Sequence, residues 1–176
     1  MIFRGLLIAL FVSTAFAQAK SFTSNDGREI AKLGVFVGKW KTAGEMFNTK
    51  FSHAAKTSSI MTCVWSPNHR FVISDQIIKT PGGTKNQLGV YGYDPHARQF
   101  YSYAFFAAGG APFSSNPMIN GNIWTYNGEF KSGGETIKTR TTNNFISRDT
   151  MIFETQYSED GTHWVTMMKG KDVRIK

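Results

Sequence analysis

The chain offers few groups at spacings that do chemistry, and those few set the first limits. Its four histidines are His53, His69, His96 and His163. No two stand at i, i+2 or i, i+4, and no Cys/His cluster exists, so the spacing of a zinc site is missing and no metal is expected. His69 and His96 sit beside Asn68 and Pro95 in turn-forming contexts, and His163 follows the Asp160-Gly161 turn, where it reads as an exposed residue. Acids are sparse. Glu45 and Asp75 lie in strand-like segments, and a buried carboxylate there would need a partner such as Lys41 or Arg140. Ser74-Asp75 and the other serines form no Gly-x-Ser-x-Gly elbow. The glycine-rich "TPGGT" precedes no helix, so it is no phosphate loop. Cys63, the single cysteine, stands among apolar neighbours in "SSIMTCVWS" and reads as a small buried hydrophobe rather than a reactive thiol. No nucleophile or general base stands out, which favours binding over catalysis.

The elements that must position these groups are mostly strands. One helical candidate, "DGREIAKLGVFVG", has Asp26 able to cap, Glu29 three residues on, and Ile30, Leu33 and Val37 at helical spacing. From Trp40 onward, nine or ten strand-like segments alternate with short turns. Asn127-Gly128 is the strongest short hairpin signal. The connection Ala107 to Pro117 is longer, with Gly109-Gly110 and Phe113, and reads either as a wide loop or as a flap at a cavity mouth. A flat meander of this size would leave two long edges, and closure into a barrel removes them. The expected fold is therefore all-β: one antiparallel meander barrel of about eight to ten strands with a short helix before the first. Bulky residues occupy both faces of several strands, as in "FYSYAFFA", which suits an aromatic-lined cavity. Tyr91, Tyr103, Phe105, Trp124 and Phe153 are its expected ligand-binding residues.

The N-terminus carries Arg4, an apolar run from Gly5 to Val12, and the A-x-A-like ends Ala15-Phe16-Ala17 and Ala17-Gln18-Ala19. That pattern predicts a cleaved signal peptide over 1–19, a loose lead over 20–27 and a barrel domain over 28–176. The product would be exported, to a periplasm or outside the cell, with no membrane-spanning segment after cleavage. With one cysteine it would have no internal disulfide, so packing alone must hold it. The formal charge is +8, but Lys and Arg are scattered except in the final "KGKDVRIK". A solvated basic surface fits better than nucleic-acid readout, and docking on anionic envelope polymers through that tail is a competing expectation.

The helix followed by Gly38-Lys39-Trp40 resembles the Gly-x-Trp signature of the lipocalin-like, or calycin, barrels. "GKW", the central Gly92-Tyr93-Asp94 and Ser158-Glu159-Asp160-Gly161-Thr162-His163-Trp164 also resemble an uncharacterised bacterial family of exported lipocalin-like domains. The calycin resemblance implies that Trp40 plugs the closed barrel end and that a basic residue of the last strand, here Arg174, packs across its ring, with Gly38 as the structural turn. It implies fold rather than activity. Related barrels of the nitrobindin group bind haem through a histidine, which makes His163 an alternative haem ligand; otherwise no cofactor is expected. Some barrels of this type are isomerases or cyclases, with Tyr or Asp75 as candidate acid or base. The leading expectation is an exported protein that holds a small apolar or amphipathic molecule.

Overall fold

The computed structural model describes residues 24–176. The signal peptide expected over 1–19 lies outside them, as does residue stretch 20–23 of the expected lead. The rest of that lead is not loose, because helix α1 runs over Ser24–Lys32. Asp26 lies in its first turn, where a carboxylate meets the unpaired N–H groups of the helix start. Glu29 and Lys32 pair at 2.7 Å. A 3-10 turn, Leu33–Val35, then delivers the chain to the first strand.

The strands are β1 (Gly38–Met46), β2 (Ala55–Trp65), β3 (Phe71–Thr80), β4 (Gly83–Asp94), β5 (Gln99–Phe106), β6 (Phe113–Ser115), β7 (Met118–Asn120), β8 (Ile123–Ser132), β9 (Glu135–Ser147), β10 (Thr150–Ser158) and β11 (Val165–Ile175). All form one antiparallel sheet in the order β6-β5-β4-β3-β2-β1-β11-β10-β9-β8-β7. The meander curls so that its first and last long strands, β1 and β11, pair side by side. The result is all-β and lipocalin-like, as expected, with the meander curled into a half-barrel. It has eleven strands because two three-residue strands border the seam.

The helix and 3-10 turn cover one end. Leu33 and Phe36 are buried there against Trp40, Cys63, Val72, Phe100, Trp124 and Phe145. Phe36 stacks on Tyr91 at 4.9 Å between centroids and meets Trp124 and Phe145 edge-on. Trp40 is 1% exposed. Its indole N–H donates to the Phe36 carbonyl at 2.7 Å, so burying it leaves no donor unpaired. The Arg174 guanidinium lies 4.2 Å from the Trp40 ring centre and donates to the carbonyls of Val35, Val37 and Arg148 and to Asp149. Gly38 has φ of 131°, and a Cβ there would strike the Arg174 guanidinium.

The seam departs from the sequence reading. The Asn127-Gly128 pair makes no hairpin, because β8 runs straight through it. The turn falls earlier, where Gly121 adopts φ of 58° between β7 and β8. Gly128 instead leaves room for a neighbour, since a Cβ there would collide with the ring of Phe113. Phe113, inside the expected flap, thus packs on β8 across the gap between the sheet edges, and Asn116-Pro117 joins those edges covalently.

Arg174→Ala should lower the unfolding free energy by about 1–3 kcal/mol, since it removes both the ring contact and the carbonyl bonds. Arg174→Lys should recover less than half of that loss, because an ammonium cannot span the same fork of acceptors. Urea denaturation of the three proteins measures both.

Candidate functional site

Between the Phe36 floor and the far mouth, the barrel encloses a cavity of about 300 Å³. That is the lower end of the range for small-molecule sites. The alternation of each strand decides what faces it. Met61, Met151, Met168 and Phe153 supply apolar, mostly flexible surface. Phe153 can lie flat on its wall because Gly44 and Gly170 sit opposite each other on β1 and β11. A Cβ at Gly170 would come within 2.7 Å of that ring.

Polar groups are interleaved with these, since Met61 pairs with Gln76 and Met151 with Asp172. Register places Thr42 opposite both Asp172 and Ser59, with Gln76 on the diagonal of β3. Gln76 Nε2 donates to Ser59 Oγ at 2.8 Å, and Ser59 Oγ donates to Thr42 Oγ1 at 2.7 Å. Thr42 Oγ1 donates to Asp172 Oδ1 in a short hydrogen bond. Asp172 is 4% exposed and makes no ion pair among the described residues. Burial raises its pKa, and the Thr42 hydrogen bond offsets part of the rise. Nearby, burial pushes the Cys63 thiol and the Tyr91 phenol up to about 12, so both stay neutral.

A family match fits this architecture over residues 26–174. The chain belongs to DUF1579, a family of proteins of unknown function. Two solved structures share the fold. One is the S-type phycobiliprotein lyase CPES from Guillardia theta: 11% identity, 89% of this chain and 98% of that chain, TM-score 0.56. The other is Rv2717c from M. tuberculosis: 9% identity, 84% of this chain and 97% of that chain, TM-score 0.57. No curated protein sequence matches the chain.

Within this DUF1579 barrel the five expected ligand residues part company. Tyr91 and Phe153 line the cavity above Phe36. Trp124 lies beyond the floor, packed edge-on against Phe36 and Phe100. Tyr103 and Phe105, expected in the cavity, are instead 42% and 43% exposed on the outer face. The pairing of Tyr91 with Ser102 turns Phe100, Ser102 and Ala104 inward and the odd-numbered aromatics outward. Tyr103 reaches only a side cleft beside Phe113 and Tyr126, and Phe105 an outer one beside Asp75 and Leu88.

The acids are also redistributed. Glu45 and Asp75 face outward, because Gly44 and Ser74 beside them face in. The inward acid is Asp172, inside the supposed basic tail. "KGKDVRIK" is no tail: it lies in β11, with Lys169, Lys171 and Val173 outside and Asp172 and Arg174 inside. His163 stands 89% exposed in the loop before β11, paired with Asp160 at 2.5 Å, and no histidine lines the main cavity.

The raised pKa of Asp172 has a stability consequence. The folded state holds this proton more tightly than the unfolded chain, so its contribution is fully favourable below the ordinary carboxyl range. It is lost as pH rises through the raised folded value. Asp172→Asn should therefore raise the melting temperature at pH 7, and the gain should vanish at acid pH. Thermal melts from pH 3 to 8 measure this. Thiol labelling gives a second check: Cys63, buried with its thiol protonated, should react only on unfolding.

Proposed function

We propose that this protein is an exported barrel that binds a small amphipathic molecule in the cavity above Phe36. The carrying observation is the cavity's mixed lining. Methionine and phenylalanine side chains are interleaved with an ordered chain of polar groups ending on a buried carboxyl. A core built for packing alone would keep no such carboxyl, because burying it costs free energy that an apolar side chain would not. The N-terminal A-x-A-like pattern supports export. No described helix is long and apolar enough to cross a membrane.

A second reading, an isomerase or cyclase, has one observation in its favour. Asp172 is a carboxyl of raised pKa facing a cavity beside hydroxyl groups, as a general acid or base would. Turnover of the bound molecule separates the two readings.

Binding is tested with a neutral environment-sensitive fluorophore, 6-propionyl-2-dimethylaminonaphthalene. Its emission should shift to the blue and saturate at one molecule per chain. Thr155→Phe, which fills the cavity from β10, should weaken that binding by about tenfold or more while the fold survives by circular dichroism. Equal binding by this variant would place the probe elsewhere and overturn the reading.

A further inference from the structure

The polar wall has a direction. Gln76 donates to Ser59, Ser59 to Thr42, and Thr42 to Asp172. The hydroxyl hydrogens of Ser59 and Thr42 are spent on the next member, and the row ends on a carboxylate. At that end what remains unspent is acceptor capacity, the second oxygen of Asp172, a residue that lines the cavity. Across the cavity, the hydroxyls of Thr141 and Thr155 bond each other at 3.0 Å.

We propose that the cavity takes an amphipathic amine, its ammonium head paired with Asp172 and its apolar body against Met61, Met151, Met168 and Phe153. This rests on the small-molecule reading above and adds the class of ligand. An ammonium group carries donors and no acceptor, so it complements the unspent carboxyl oxygen of Asp172. It also supplies the counter-charge that Asp172 lacks among the described residues. An anion would set its charge against the Asp172 carboxylate. The formal charge of +8 opposes cations at long range, so recognition lies in the buried contact, where salt screens least.

The groups around Asp172 leave it as the titrating partner. Cys63 on β2 and Tyr91 on β4 remain neutral to about 12. Thr42 on β1, Ser59 on β2 and Met151 on β10 carry no charge. Arg174, on the same strand, is engaged with Asp149 and the carbonyls of the closed end. Amine affinity should therefore fall as the pH is lowered through the titration of Asp172.

Three probes with one apolar body test the proposal by calorimetry on the purified protein at pH 7.5: 4-phenylbutylamine, 4-phenylbutanol and 4-phenylbutyrate. The amine should bind at least about tenfold tighter than the alcohol, the gain expected of a charge-assisted hydrogen bond, with the carboxylate weakest. Asp172→Asn should bring the amine to the level at which the same variant binds the alcohol. Acid pH should weaken the amine alone. Alcohol or carboxylate binding as tight as the amine in the wild-type protein overturns the amine assignment while the cavity still binds. Failure of all three to bind overturns the binding reading itself.

Discussion

The structure depends on the pairing of its first long strand with its last, and that pairing is fastened by Arg174 lying across Trp40. Side chains alternate along a strand, so a slip of one residue between β1 and β11 would carry Arg174 outside and leave Trp40 bare. The same slip would turn Asp172 away from Thr42. Closed end and polar wall are thus set by one register. The guanidinium adds a second constraint, because it ties the carbonyls of Val35 and Val37 to the barrel and fixes where the 3-10 turn sits. Phe36 follows from that turn, and it is the floor of the cavity.

The two ends of the barrel serve different purposes. The closed end is a dense aromatic core in which Phe36, Trp40, Trp124 and Phe145 meet mostly edge-on, the arrangement that ring quadrupoles favour. The opposite half trades packing for polarity. A buried carboxyl with one hydrogen-bond donor weakens the folded state at neutral pH, and a sequence under selection for stability alone would discard it. Proteins tolerate such costs at sites of use.

Much of the fold was legible because its signals are local. Gly38-Lys39-Trp40, the run of alternating segments and the short turns each point to one meander. The faces of the strands were less legible. In "FYSYAFFA" both faces are aromatic, so hydrophobic alternation cannot say which is inside, and the pairing with β4 decides it. Asn127-Gly128 misled because its residues suit a tight turn, while the real reason for Gly128 is Phe113 from a distant strand. Asp172 was hidden by composition, since it sits among lysines. It was nonetheless deducible. Once Arg174 is placed inward over Trp40, the residue two positions earlier must face inward too.

The seam between β6 and β7 carries one more implication. Every other wall of the barrel is a ladder of backbone hydrogen bonds, which resists being pulled apart. Here the sheet edges meet through the ring of Phe113 on Gly128 and a covalent link. Side-chain contacts of that kind give way gradually, each worth a fraction of a kcal/mol. This one line of the wall is therefore held by side-chain packing and a two-residue link rather than by backbone pairs. The sheet is thus a strip wrapped once around the interior, whose two ends are pinned to each other by one aromatic ring.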